Sequence, residues 1–235
     1  MIETHVHILP QIDDGPQDFP ESLSLAKAFV QTGYKNIITT PHFWKGYWEP
    51  TKKEIQDKIK ILNNALKELK WDIKVYPGSE VRLTDYIFEQ KPLEQFQSLN
   101  NSRYLLVDVY PDITTETISQ LEYLLKNNLR PILAHPERYP CLYNLDMVKK
   151  IKSLGVLFQL TSVSLIENNR KITNQAELFL KNGYYDLIGS DSHNSQNRFY
   201  PLTKVESKIK SLIGLTKWQL LSQTNCANIL NDSSF

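Results

Sequence analysis

Apolar residues in this chain follow two rhythms that alternate from one end to the other. Short aliphatic or β-branched runs read as strands: Met1 to His7, Asn36 to Thr40, Ile73 to Tyr76, Tyr104 to Tyr110, Arg130 to His135, Val156 to Leu160 and Asp186 to Ser190. Between them apolar residues recur at helical spacing, as in Leu23, Ala26 and Val30, then Ile55, Ile59, Leu62, Leu66 and Leu69, then Ile118, Leu121 and Leu125. Start signals agree with that reading. Asp18-Phe-Pro20-Glu21 joins a capping residue to a first-turn proline and a first-turn acid, and Thr51 or a neighbour opens the next helix. Gly33, Gly155 and Gly183 each stand between an amphipathic helix and an apolar strand. Leu83 to Leu99 is less regular and predicts short helices, and two helical stretches, about 201–212 and 217–230, close the chain.

Strand and helix alternating along the whole length predict parallel strands joined by helical crossovers. Seven such units in 235 residues predict an α/β barrel rather than an open sheet, in a single domain spanning residues 1–235. Hydrophobic residues are 41% and charged residues 23%, enough for a sizeable core. A net charge of +1, with both signs scattered, argues against a nucleic-acid binder. No apolar run is long enough to span a bilayer, and the N-terminus does not read as a signal peptide. With only Cys141 and Cys226, far apart, the expectation is a reduced, cytoplasmic protein.

The chemistry lies at the strand ends. The five histidines are His5, His7, His42, His135 and His193, and every one falls at or just beyond the C-terminal end of a predicted strand. In a parallel barrel those ends share one rim, where active sites form. Asp13, Asp14, Glu80, Asp108 and Asp191 occupy similar points. Taken singly, each has an ordinary alternative: His5-Val-His7 as core or surface residues, Asp14-Gly15 as a turn, Asp191 as a helix cap, His135-Pro-Glu-Arg138 as a rigid corner. Taken together, those alternatives require every histidine to reach one rim by chance. Imidazole and carboxylate donors without cysteine suit Mn²⁺, Fe²⁺ or Zn²⁺. The donors outnumber the needs of one zinc ion and imply a cluster of about two or three cations, an arrangement suited to phosphoryl oxygens. Arg138 could neutralise charge on a phosphoryl group. Neither cysteine has an arginine six residues on, which argues against a cysteine-based phosphatase.

The motifs His5-Val-His7-Ile-Leu-Pro, Asp13-Asp14-Gly15-Pro16, Thr40-Pro41-His42, Pro77-Gly78-Ser79-Glu80, His135-Pro-Glu-Arg138 and Ser190-Asp191-Ser192-His193 together resemble the PHP (polymerase and histidinol phosphatase) superfamily. Within it they are similar to the bacterial manganese-dependent protein-tyrosine phosphatases linked to capsule and exopolysaccharide synthesis. The resemblance runs in register from residue 1 to about 198. It implies a distorted TIM-like (β/α)₇ barrel, the PHP fold, with a trinuclear site, Mn²⁺ being the expected metal and Fe, Zn or Mg the alternatives. By matching position, His5, His7, Glu80 and Asp191 would hold one ion, Glu80, Asp108 and His135 a second, and Asp14, His42 and His193 a third, with Arg138 as the catalytic residue on the phosphate. The implied reaction is hydrolysis of phosphotyrosine by a metal-bridging hydroxide. The implied substrate is the tyrosine-rich tail of a bacterial tyrosine kinase.

Two positions depart from the family pattern: Asp108 stands where glutamate is usual, and Glu3 where aspartate is usual. The shorter Asp108 arm predicts a looser second ion. The aromatic run Phe43, Trp44, Tyr47 and Trp48 reads either as a lid packed on the rim or as a wall for the phenyl ring. On the second reading Phe43 and Tyr47 join Arg138 in contacting substrate. Tyr110 and Tyr139 have the same ambiguity. A small-molecule phosphatase acting on histidinol phosphate or a sugar phosphate is the nearest alternative. A metal-stabilised, non-catalytic kinase-binding protein is an alternative of another class. A homo-oligomer is left open.

Overall fold

β-branched and aliphatic runs too short for helices become strands, and each strand is followed by a segment whose apolar stripe covers it. The computed structural model describes residues 1–84, 86–109 and 112–235. Its strands are β1 (Ile2–Glu3), β2 (Asn36–Ile38), β3 (His42–Phe43), β4 (Lys74–Tyr76), β5 (Glu80–Arg82), β6 (Tyr104–Asp108), β7 (Arg130–Ala134), β8 (Leu157–Thr161) and β9 (Leu187–Gly189). The helices are α1 (Phe19–Gln31), α2 (Lys52–Glu68), α3 (Ile87–Gln90), α4 (Thr115–Lys126), α5 (Leu145–Ser153), α6 (Arg170–Lys181), α7 (Glu206–Gln219) and α8 (Asn225–Leu230).

Among the described residues every strand pairing is parallel. β1, β2 and β4 form one sheet, and β3, β5, β6, β7, β8 and β9 form the other. The two sheets are parts of one ring. β2 runs through Thr39 to Pro41 into β3, and β4 runs through Pro77 to Ser79 into β5, so beyond the second and third predicted strands the chain breaks and resumes as a further short strand. Proline has no N–H for a ladder, so Pro41 and Pro77 suit these breaks. The ring closes where the chain beyond β1 meets the chain beyond β9: the Asp191 amide donates to the His5 carbonyl at 2.8 Å and the His7 amide to the Ser192 carbonyl at 2.9 Å. The result is the distorted (β/α)₇ barrel expected from the sequence.

Alternation of side chains across the strands divides the core in two. Ile38, Leu99, Tyr104, Leu106, Ile132, Ala134, Leu157, Leu187, Cys226 and Ile229 form one buried cluster, which holds the alternate residues of β6, β7 and β8 that face the interior. The larger cluster, including Leu25, Phe29, Ile55, Leu62, Leu105, Val107, Leu133, Phe158 and Phe179, lies between strands and helices. Sheets covered on both faces need continuous apolar strands, and β6 and β8 are buried at all their positions.

The predicted helix starts are observed. Asp18 caps α1 by accepting the Glu21 amide, and Thr51 and Glu54 form a reciprocal capping box on α2. The buried face of α1 is centred on Leu25, Ala26 and Phe29, with Leu23 and Val30 at its flanks. Leu69 lies just past the end of α2 and is half exposed. The break expected between the two closing helical stretches is a kink within α7 at Gly214, whose φ of 82° lies in the left-handed region. Tyr110, named above, lies outside the described residues.

Gly189 shows how tightly the interior is filled. A Cβ there would lie 2.6 Å from His5 Cβ and 2.8 Å from Gln159 Nε2. We expect Gly189→Ala to destabilise the protein by about 1–3 kcal/mol. Urea unfolding followed by circular dichroism measures this, and an unchanged midpoint would show that the ring relaxes more freely than its packing indicates.

Candidate metal centre

The parallel ring brings the C-terminal strand ends to one rim, and the chemistry-bearing residues follow. His5 and His7 come from the segment after β1, His42 opens β3 and Glu80 opens β5. Asp108 ends β6, His135 follows β7, and Asp191 and His193 follow β9. His135 and Asp191 have φ of 37° and 56°, left-handed values that non-glycine residues rarely adopt. This turns each side chain at the point where its strand ends.

Glu80 is the hub. Its carboxylate is 1% exposed and lies 3.4 Å from His5 Nε2, 3.6 Å from His7 Nε2, 2.9 Å from His42 Nδ1 and 3.0 Å from His135 Nε2. Asp191 Oδ1 is 3.5 Å from both His5 Nε2 and His7 Nε2. Asp14 Oδ1 is 3.4 Å from His42 Nε2 and 3.3 Å from His193 Nε2. Three sets of donor atoms come within 4.8 Å of one another: His7, Asp14, His42 and His193; His5, His7 and Glu80; and Glu80, Asp108 and His135. All nine candidate ligands are therefore at one rim.

The imidazoles are aimed by their other nitrogens. His5 Nδ1 donates to Gln159 Oε1 at 2.6 Å, His7 Nδ1 to Asp13 Oδ2 at 2.7 Å, and His193 Nδ1 to the Asp191 carbonyl at 2.9 Å. Each of these bonds turns Nε2 toward the centre, as in protein metal sites generally. Asp13 also accepts the amides of Gly15 and His42, which ties the acidic turn to β3. Glu3 Oε1 accepts three amides, those of Thr4, His5 and Ser190, at the ring closure. Burial nonetheless pushes its carboxyl up to about 7.

Cations fit this arrangement. His5 Nε2, His7 Nε2, Glu80 Oε2, Asp14 Oδ1 and His193 Nε2 are buried with no hydrogen-bond partner. Such atoms are costly unless something satisfies them. Burial works against charge on His135, but the hydrogen bond to Glu80 and the charges of Glu80 and Asp108 raise its pKa to about 9. The same carboxylates that attract a proton to His135 would attract divalent ions. The thiols are elsewhere in the balance: burial and Asp112 push Cys141 up to about 11, and burial pushes Cys226 up to about 12. Neither supplies a thiolate nucleophile near neutral pH.

Beside the centre is a pocket of about 270 Å³ whose lining includes His135, Arg138, Asp191, Arg198 and Tyr200. Arg138 donates from Nη2 to Glu167 Oε2 at 3.0 Å, while its buried Nε has no partner. Arg198 donates to Asp14 Oδ2 at 2.8 Å. Sequence reasoning missed Arg198, Glu167 and Gln159. Arg198 stands only five residues beyond His193, a proximity visible in the sequence, but the contacts of Glu167 and Gln159 depend on how separate strands adjoin.

The aromatic run divides. Phe43 does not face the rim, which corrects the expectation of a substrate contact there. It is 5% exposed and meets Phe96 edge-on, because strand alternation turns it away from the side that His42 faces. Tyr47 is 69% exposed and stacks on Trp44 at 4.2 Å. Trp48, rather than Phe43, stacks on the His42 ring, at 5.5 Å. Tyr139 is buried and donates to Asp108 Oδ1 at 2.7 Å.

Known proteins match this geometry along nearly the whole chain. The family model described as capsular polysaccharide synthesis, CpsB/CapC, matches residues 1–231. The chain belongs to the CpsB/CapC family. It is 31% identical over 201 residues to tyrosine-protein phosphatase YwqE of Bacillus subtilis, covering 84% of this chain and 79% of YwqE. A chain from the crystal structures of YwqE and of CpsB from Streptococcus pneumoniae, described as metal-dependent tyrosine phosphatases, superposes with a TM-score of 0.92 at 26% identity. That match covers 100% of this CpsB/CapC chain and 96% of the other. Histidinol phosphate phosphatase from Lactococcus lactis shares the fold, with a TM-score of 0.59 at 15% identity over 94% of this chain and 96% of its own. Among the described residues, no helix is long and apolar enough to cross a membrane.

The five unpartnered atoms predict that His5→Ala, which removes one of them, loses bound metal relative to the unaltered protein. Elemental analysis of the purified variant checks this, and an unchanged metal content would remove His5 from the centre.

Proposed function

We propose that this CpsB/CapC protein is a metal-dependent protein-tyrosine phosphatase whose centre is built from His5, His7, Asp14, His42, Glu80, Asp108, His135, Asp191 and His193. The observation that carries the reading is the group of buried, unpartnered imidazole and carboxylate atoms at one rim, immediately beside two guanidinium groups. The curated relatives named tyrosine-protein phosphatases support the substrate class. Divalent ions, with Mn²⁺ the proposed metal, would supply Lewis-acid charge for phosphoryl oxygens and an acidified water.

The chain's own residues account for the rest. Arg138 and Arg198 both line the pocket, and each is held by a carboxylate, Glu167 and Asp14 respectively. A guanidinium oriented in advance meets a phosphate with little reorganisation. Arg138 Nε, buried without a partner, is free to donate to an incoming oxygen. The leaving group is a phenolate, whose conjugate acid has a pKa of about 10, so protonation makes a modest demand on the site. Trp48 and the exposed Tyr47 stand over the His42 side of the rim, where they can take the apolar ring of a phosphotyrosine. The substrate we infer is the phosphorylated tyrosine tail of a bacterial tyrosine kinase in polysaccharide synthesis.

Manganese-stimulated phosphate release from phosphotyrosyl peptides, compared with release from histidinol phosphate, tests the proposal. Faster turnover of the peptide is expected, whereas turnover of histidinol phosphate alone would replace the protein substrate with a small molecule. Arg138→Ala is expected to retain its metal and lose roughly a hundredfold or more in turnover. Full activity in that variant would exclude Arg138 from the reaction.

A further inference from the structure

The buried polar atoms of the rim fall into two groups. His5 Nε2, His7 Nε2, Asp14 Oδ1 and His193 Nε2 have no hydrogen-bond partner, and Glu80 Oε2 meets imidazoles of the other candidate ligands, the nearest being His42 Nδ1 at 2.9 Å. At the Glu80–Asp108–His135 position Glu80 Oε1, both Asp108 oxygens and both His135 nitrogens are already engaged. Asp108 Oδ1 accepts the Tyr139 hydroxyl at 2.7 Å, and Asp108 Oδ2 accepts Arg82 Nε at 2.6 Å and pairs with Arg82 Nη2. His135 Nε2 donates to Glu80 Oε1 at 3.0 Å, and His135 Nδ1 lies 3.1 Å from the Tyr139 hydroxyl.

Strand register produces this contact. Arg82 and Asp108 are partners across the β5–β6 pair, so both side chains leave the same face at the same height. The ring of Trp44 covers the guanidinium, with Cζ 3.9 Å from the ring centroid, which holds the charge in place. Asp108 is 2% exposed, and a buried carboxylate without a counter-charge is strongly unfavourable. Arg82 supplies that counter-charge from within the chain. A divalent ion binding there meets a fixed positive charge and must take an oxygen from an existing bond.

We propose that the rim holds its cations unequally: the Glu80–Asp108–His135 position binds the weak, exchangeable ion, with Arg82 as a built-in competitor for Asp108. The inference rests on the metal-centre reading above. It makes occupancy of one position respond to metal concentration in a range where the other positions are already filled. Arg82 and Tyr139 act here as positioning residues, through Asp108.

Equilibrium dialysis against graded Mn²⁺, with elemental analysis of the protein, reads this directly and without an activity assay. The unaltered protein is expected to retain its first ions at low Mn²⁺ and to take up one more only at roughly ten- to hundredfold higher concentration. In Arg82→Gln, which leaves Asp108 without its counter-charge, the last ion should bind in the same range as the others. Asp108→Glu, whose carboxylate reaches one methylene farther, should shift it the same way and decides the matter if Arg82→Gln does not fold. A single affinity for all ions in the unaltered protein, or a weak ion unmoved in the folded variants, overturns the inference and leaves the metal centre standing. No retained Mn²⁺ at any concentration overturns both.

Discussion

One buried carboxylate, Glu80, is within 3.6 Å of four of the five histidines. No single helix or hairpin could present those rings. They arrive from the segments after β1, β2 and β7, and only a closed ring of parallel strands brings those segments to one place. The contact between the ends of β1 and β9, through His5, His7, Asp191 and Ser192, is at once the seam of the barrel and part of the candidate centre. Stability and chemistry are therefore coupled at the same residues.

The electrostatic problem at the rim is met in different ways at neighbouring points. Asp13 and Gln159 orient imidazoles. Glu167 and Asp14 orient guanidinium groups. Arg82 and Tyr139 neutralise and bond Asp108 outright. Burial makes the bonds to Asp13, Gln159 and Asp108 stronger than they would be in water, and makes any unpaired buried atom expensive, while the Arg138–Glu167 and Arg198–Asp14 pairs remain partly exposed. The unpaired ligand atoms are therefore informative, and five of them meet where the histidines from beyond β1 and β9 approach Glu80 and Asp14.

The aromatic run after His42 shows how strand alternation sorts a cluster that composition alone cannot. Phe43 enters the core, Trp44 covers Arg82, Trp48 lies on His42, and Tyr47 remains outside on Trp44. One stretch thereby joins the hydrophobic layer, the Arg82–Asp108 pair and the surface beside His42.

Much of this protein was legible in its sequence, because the relevant signals are local. Seven apolar runs, the caps at Asp18 and Thr51, and the glycines at 33, 155 and 183, whose φ values are all positive, specify a strand–helix alternation without reference to distant residues. Histidines and acids at strand ends then follow, since a parallel ring has only one rim for them. Tertiary structure decided the rest. The breaks at Pro41 and Pro77, the inward burial of Phe43, the pairing of Arg82 with Asp108, and the arrival of Gln159, Glu167 and Arg198 all depend on which strand lies beside which, and in what register. A side chain's partner across a sheet is set by the closure of the whole ring, and no window of neighbouring residues carries that information.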